Sequence, residues 1–158
     1  MAGLLFLKIS SSNVGEFIGP STQQGFENQI PLISTFHQVE SSVGTRTISR
    51  NVSIHHPFSI TKLVDQSSPL FYGAWYMNVK ITSFKVSYLK PNPMGELAVV
   101  YTVELFDAKI VKIEQTLASP NLAQPIEAEK IAFTYQRMLI RHANGGIEQE
   151  IKNNQGLV

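Results

Sequence analysis

The residues best suited to chemistry in this chain are its four histidines, and two of them are adjacent, His55 and His56. An adjacent pair is a candidate metal site, because imidazole is a common ligand of zinc and nickel. The pair falls in a segment of alternating apolar and polar residues, which predicts a β-strand whose neighbouring side chains point to opposite faces. Two such rings cannot bind one ion together. We therefore predict no metal site, and expect one ring to be packed and the other to lie at the surface.

No motif indicates catalysis by a serine, a carboxylate pair or a phosphate-binding loop. The G-x-S-x-G pattern of a nucleophile elbow does not occur in the sequence. The carboxylates Asp65, Glu96, Glu104 and Asp107 are spread along the chain, and Gly145-Gly146 opens no recognisable helix. We predict no catalytic residue and no cofactor. An enzyme with a site assembled from distant carboxylates is an alternative that sequence alone leaves open.

Composition disfavours nucleic-acid binding and membrane insertion. Thirteen Lys and Arg are scattered among twelve Asp and Glu, whereas phosphate binding needs a clustered basic face. No apolar run approaches the length of a membrane span, and the apolar start at 3–7 is too short for a secretory signal. There are no cysteines, and only 16% of the residues are charged. Domains average about 25% charged residues, so this low content favours a surface that is partly covered by a partner.

Alternation with period two predicts a mainly β fold. Val52, Ile54, His56, Phe58 and Ile60 lie on one face of a predicted strand. A second predicted strand, 131–140, has apolar side chains on both faces, so it requires a cover on each side. Further strands are predicted at 4–9, 29–39, 79–90, 98–106 and 109–115, and loops at 10–25, 40–49, 91–95 and 118–127.

These strands and one helix predict an antiparallel β-barrel or sandwich of two sheets with one flanking α-helix. We expect a single domain at 1–147. The polar segment 148–158 is expected to be a flexible tail.

The helix is predicted to start at Ser67-Ser68-Pro69, where Ser68 caps the helix and Pro69 takes the first helical position. Asp65 lies just upstream, near the positive end of the helix dipole. Together with Lys62, these residues are predicted to fix the corner between a strand and the helix.

One face of the helix carries large apolar side chains at spacings of three and four residues, which predicts burial of that face. The members of this face are Leu70, Phe71, Ala74, Trp75 and Met77. The aromatic residues Phe71, Tyr72, Trp75 and Tyr76 could also stack on single-stranded nucleic acid, but they have no basic neighbours. We therefore predict that Phe71 and Trp75 either pack against the sheet or form a subunit interface.

The segment 55–70, HHPFSITKLVDQSSPL, resembles the signature segment of the haemolysin-coregulated protein (Hcp) family, the tube subunits of bacterial type VI secretion systems. The resemblance covers most of the chain in order. It continues in FLKI at 6–9, YTVEL at 101–105, AKIV at 108–111 and EKIAFTY at 129–135, with His142 and Gly145-Gly146 beyond. The first loop departs from the family, because 10–15 is rich in serine and the strand after it carries Phe36 instead of the usual Trp.

The resemblance implies a two-sheet β-barrel with a flanking helix, six copies closing into a ring, and rings stacking into a tube. It also implies assembly in the cytoplasm, a contractile sheath and a spike protein as partners, effector proteins in the lumen, and secretion without a signal peptide. Closing a ring requires one repeated heterologous interface. A monomeric β-barrel that binds a small ligand or peptide in its mouth is the alternative.

Overall fold

The computed structural model describes residues 3–42, 52–119, 121 and 127–153, which form thirteen β-strands and one α-helix. The mainly β prediction is confirmed. In chain order the strands are β1 (Leu4–Ser11), β2 (Gly15–Glu16), β3 (Ile30–Leu32), β4 (Ser34–Phe36), β5 (Val39–Ser42), β6 (Val52–His55), β7 (Phe58–Leu63), β8 (Ile81–Pro91), β9 (Leu97–Phe106), β10 (Lys109–Thr116), β11 (Ala128–Thr134), β12 (Arg137–His142) and β13 (Ile147–Lys152). The helix α1 (Ser68–Tyr76) lies between β7 and β8.

The strands form two main antiparallel sheets and a separate hairpin. A seven-stranded sheet has the order β13-β12-β9-β8-β1-β2, with β3 also paired to β1. A four-stranded sheet has the order β10-β11-β7-β4, and β5 pairs only with β6 among the described residues. This arrangement confirms the sandwich form of the prediction, since the described strands do not close into one barrel.

The core lies between the two sheets and is held by aromatic contacts across them. Phe84 of the larger sheet lies edge-on to Phe58 and Phe133 of the smaller one, with ring centroids 5.7 and 4.9 Å apart. Leu7 and Val86 pair directly on neighbouring strands and are both buried. Side chains of one face of each sheet therefore interdigitate, as the period-two pattern requires.

The predicted strand at 131–140 is wrong, because this segment is two strands in different sheets. β11 ends at Thr134 in the smaller sheet and β12 starts at Arg137 in the larger one. The chain crosses between the sheets at Tyr135 and Gln136. Apolar side chains occur on both faces because the face that meets the core changes at the crossing. The double apolar face is thus explained within one chain and needs no second cover.

The predicted strand through Val52 and Ile60 is also divided. β6 ends at His55 and β7 starts at Phe58. Pro57 lacks a backbone N–H and so cannot donate to a strand ladder. The remaining predicted strands are present with shifted ends, except that 29–39 is divided among β3, β4 and the start of β5. The loops predicted at 40–49 and 118–127 lie mostly outside the described residues.

The flexible tail predicted from residue 148 is wrong for 148–152. These residues belong to β13, which pairs with β12 in register from Arg137 with Lys152 to His142 with Ile147. Arg137 and Arg141 also bind Glu150 and Glu148 across the pair, each at 2.8 Å. The alternation in 147–152 is weak because β13 is an edge strand with one partly buried apolar side chain. Residues 154–158 lie outside the described part of the chain.

No helix in the described part of the chain is long and apolar enough to cross a membrane.

The role of β13 predicts unequal effects of two isoleucine truncations on one strand. Ile151 packs against the core, whereas Ile147 is 71% exposed. Ile151→Ala should lower the free energy of unfolding by about 1 kcal/mol, since roughly half of a buried side chain's transfer free energy is lost. Ile147→Ala, the matched control, should change it by less than about 0.5 kcal/mol. Equal effects in denaturant melts would mean that β13 does not contribute to the folded domain.

Candidate functional site

The corner between β7 and α1 is built around a buried lysine. The side chains of Lys62 and Glu129 are both 0% exposed, and their Nζ and Oε1 atoms are 2.5 Å apart. The two residues are direct partners in the pairing of β7 with β11. Lys62 Nζ also donates to the carboxylate of Asp65 and to the carbonyl oxygen of Leu63, both at 3.0 Å. A buried cation is thus paired with two carboxylates that come from different parts of the chain.

Ser68 joins the helix to this lysine and glutamate. Its hydroxyl donates to Glu129 Oε1 at 2.7 Å and accepts from Lys62 Nζ at 3.2 Å. It also accepts the backbone N–H of Asp65 at 3.0 Å. The second oxygen of Glu129 accepts from the Gln115 side chain at 2.9 Å. Ser68 therefore links the helix start to both strands beneath it.

The predicted capping role of Ser68 is wrong. The helix starts at Ser68, its N-cap is Ser67, and no side chain caps it. Pro69 consequently takes the second helical position. Ser68 cannot cap the helix because its hydroxyl is directed to Lys62 and Glu129 instead.

Asp65 closes the loop that leads into the helix. Its Oδ1 accepts the backbone N–H of Ser67 at 2.8 Å and the Ser67 hydroxyl at 2.5 Å, besides Lys62. We call Lys62, Asp65, Ser67, Ser68 and Glu129 the corner network. In the described residues, no buried side-chain nitrogen or oxygen lacks a hydrogen-bond partner. The lysine is enclosed and fully bonded, so this arrangement positions the helix and offers no accessible nucleophile.

The inner face of α1 is narrow. Phe71 is fully buried and lies edge-on to Phe17 and Phe133, with centroids 5.0 and 6.4 Å away. Ala74, one turn further, is also buried. These two residues lie between the helix and the sandwich, and the partly buried Leu70 also packs against the core.

The prediction that Trp75 packs against the sheet is wrong. Trp75 is 50% exposed and Tyr76 is 83% exposed. Tyr72 and Met77 are also exposed, and we call these four residues the outer helix face. Trp75 follows Phe71 by four residues but is not buried, because the nine-residue helix contacts the core only along the stripe of Leu70, Phe71 and Ala74. The alternative, a subunit interface, stays a prediction.

Three of the four histidines lie in or beside the β5–β6 hairpin, in two separate settings. His55 Nδ1 and His37 Nε2 both lie close to the hydroxyl of Tyr135, at 2.9 and 2.7 Å. His56 Nε2 lies 2.8 Å from Glu40 Oε1 instead. The part of the chain that is described contains no group of three or more His, Cys, Asp or Glu side chains that could hold a metal ion. Sequence reasoning missed the involvement of His37 and Tyr135, which are 98 residues apart.

The described residues form an apolar groove of about 350 Å³. It opens between the start of β4 and the larger sheet. Its lining includes Leu5, Ile33, Tyr88 and Tyr101. A groove with an apolar lining resembles the mouth expected for a ligand-binding module.

Comparison with known proteins identifies the family to which this fold belongs. The sequence model of the family described as "Type VI secretion system effector, Hcp" matches residues 6–142, which is most of the chain. The chain belongs to the Hcp family. The family resemblance inferred from the segment 55–70 is therefore confirmed, and that segment contains four of the five residues of the corner network.

Relatives and solved structures agree with membership of the Hcp family. The chain is 28% identical over 136 residues to a protein of Pseudomonas aeruginosa named "Major exported protein", covering 82% of this chain and 77% of the relative. A crystal structure of an Hcp protein matches with a TM-score of 0.84 and 22% identity, covering 96% of this chain and 98% of the other. Hcp3 from Pseudomonas aeruginosa matches with a TM-score of 0.76 and 22% identity, with the same coverage. At these identities the two structures show a shared fold.

The corner network predicts a large cost for removing its cation. Lys62→Met should lower the free energy of unfolding by about 3–5 kcal/mol, because Glu129 would stay buried without a counter-charge. Lys112→Met is the matched control, since Lys112 pairs with Glu114 at the exposed surface and such pairs contribute about 1 kcal/mol or less. Denaturant melts of both variants measure the difference. Similar stabilities would show that the buried pair does not hold the corner.

The two faces of α1 predict two kinds of defect. Phe71→Ala should lower the free energy of unfolding by about 3–5 kcal/mol at every protein concentration, because it leaves a cavity in the core. Trp75→Ala should alter unfolding only through assembly, so its effect should depend on protein concentration. Denaturant melts at two concentrations separate these cases. A concentration-independent loss for Trp75→Ala as large as that for Phe71→Ala would contradict the exposed placement of Trp75.

Proposed function

We propose that this Hcp family member is a subunit of the inner tube of a type VI secretion system, in which six copies close into a ring and rings stack. The match of the family over residues 6–142 is the observation that carries this proposal. The physical requirement is a surface on each copy that binds a different surface on the next one.

The outer helix face is our candidate for part of that surface. Trp75 and Tyr76 are exposed side by side on a helix that carries no charged residue. Exposed aromatic side chains without neighbouring charge are typical of the central part of protein interfaces. A short helix held rigidly by the corner network can present them in one fixed orientation. We therefore expect a second copy of the chain to cover this face.

Membership of the Hcp family supports a proposal about the wider partners of the tube. We propose that the rings assemble in the cytoplasm, that a contractile sheath surrounds them and a spike protein caps them, and that effector proteins travel in the lumen. The name "Major exported protein" of the Pseudomonas aeruginosa relative supports export of the tube subunit. We propose no catalytic activity, and the fully bonded state of Lys62 is consistent with a structural role.

The groove lined by Tyr88 and Tyr101 favours one other function, a monomeric module that binds a small apolar ligand or peptide. A tube subunit and a monomeric binding module differ in mass. The native mass of the purified chain therefore distinguishes these two functions.

Light scattering on the purified protein tests the proposal. The parent chain should have a mass several times its subunit mass of 17.6 kDa. Changing Trp75 and Tyr76 together to Ala should shift the protein to smaller species without unfolding it, because their side chains lie outside the core. Met94→Ala removes a similarly exposed apolar side chain from the turn after β8 and should leave the mass unchanged. A monomeric parent at micromolar concentration would contradict the tube function.

A parent that assembles, together with a double variant that keeps the parent mass, would contradict only the assignment of the outer helix face. The tube function would then require a different interface.

A further inference from the structure

The hairpin formed by β5 and β6 is attached to the sandwich at its root by two histidines. His37 lies two residues before β5, and His55 is the last residue of β6. Both rings reach the hydroxyl of Tyr135, at 2.7 Å from His37 Nε2 and 2.9 Å from His55 Nδ1. The two ends of the hairpin therefore share one anchoring atom.

Tyr135 is a firm anchor because it belongs to the core. Tyr135 is buried, and it lies where the chain crosses from the smaller to the larger sheet. The rings of His37 and His55 both meet the Tyr135 ring edge-on, with centroids 5.5 and 5.8 Å away. Burial raises the pKa of Tyr135 to about 12, so its hydroxyl keeps its proton at any pH near neutrality.

The count of hydrogens limits the charge that this cluster can carry. A phenol hydroxyl donates one hydrogen bond and accepts from other donors. With two ring nitrogens beside it, the hydroxyl can donate to one imidazole and accept from the other. The imidazole that accepts must be neutral. If both histidines were protonated, both nitrogens would carry hydrogens, the hydroxyl would lose its acceptor, and two cations would converge on one oxygen.

Among the described residues, Glu40 of β5 lines the same pocket as His55, and its Oε1 lies 2.8 Å from His56 Nε2. A positive charge on His56 disfavours a second positive charge on His37. Lys152 of β13 lines the pocket that contains His55, which is separate from the apolar groove, and contributes a further positive charge. The sequence between β5 and β6 contains Arg46 and Arg50 but no Asp or Glu.

Burial lowers the pKa of both His37 and His55 from the ordinary value of 6.5, and for His37 the neighbouring histidines lower it further. His37 and His55 therefore bind protons more readily when their rings are released from Tyr135 than when they contact it. The two rings contribute their full stabilisation of the attached hairpin above pH 6.5, and this contribution is lost as the pH falls below 6.5. Acid therefore works against the state in which both rings contact Tyr135.

We propose that His37, His55 and Tyr135 form an acid-sensitive latch that holds the root of the β5–β6 hairpin against the sandwich at neutral pH and releases it on acidification. The two-sheet sandwich is not part of the switch, because its core contains no other histidine among the described residues. The latch does not depend on tube formation.

A single spin label on the hairpin tests the latch. The chain has no cysteine, so Ser41→Cys on β5 creates a unique and exposed attachment point. Electron paramagnetic resonance spectra should show a more mobile label as the pH falls from 8 to 5, with a midpoint below 6.5. Far-ultraviolet circular dichroism should stay unchanged over the same range.

Matched variants in the Ser41→Cys background separate the latch from a general effect of acid. His37→Gln with His55→Gln removes both titrating groups and should abolish the transition. His56→Gln removes a histidine of the same segment that binds Glu40 instead and should leave the transition in place. Tyr135→Phe keeps the ring but removes the shared hydroxyl, so the label should already be mobile at pH 8.

Four results would overturn the latch. They are a label mobility that does not change with pH, a transition that persists without both histidines, loss of the transition in His56→Gln, or unfolding of the whole protein at the same midpoint.

Discussion

The salt bridge between Lys62 and Glu129 is the interaction on which the placement of the helix depends. It joins directly paired residues of β7 and β11, and the hydroxyl of Ser68 attaches the first residue of α1 to both charges. Burying an ion pair costs a large desolvation free energy, which is offset only when the geometry is good and the remaining polar atoms are bonded. Asp65, Ser68 and Gln115 meet that requirement here. The chain is consequently confined to one path from the strand into the helix.

That confinement determines which side chains of the helix face water. With Ser68 fixed on the strands, Phe71 and Ala74 point into the sandwich, and Trp75 and Tyr76 point away from it. The same contact thus contributes to stability and to presentation of an apolar surface. A self-assembling subunit requires such a surface to have a fixed orientation, because small angular errors between copies would prevent a ring from closing.

Sequence reasoning predicted the β content, the two-sheet arrangement, the position of the helix and the family, because these depend on local periodicity and on the segment 55–70. It did not predict where the chain changes sheet at Tyr135, since apolar residues on both sides of that point have the pattern of one strand. It left open whether Trp75 packs against the sheet or forms a subunit interface, because helical spacing shows which residues share a face and does not show how wide the buried stripe is. Ser68 resembled a helix cap, and only the position of Glu129, 61 residues away, shows that its hydroxyl is used elsewhere. Contacts between distant segments, including that of His37 with Tyr135, carry no local signal.

In the proposed tube, copies of this chain assemble through a repeated contact into a closed ring. Class averages of the purified protein from negative-stain electron microscopy test it most directly. We expect annular end views with sixfold symmetry and a central hole. Compact particles of the size of one chain, without a hole, would contradict it.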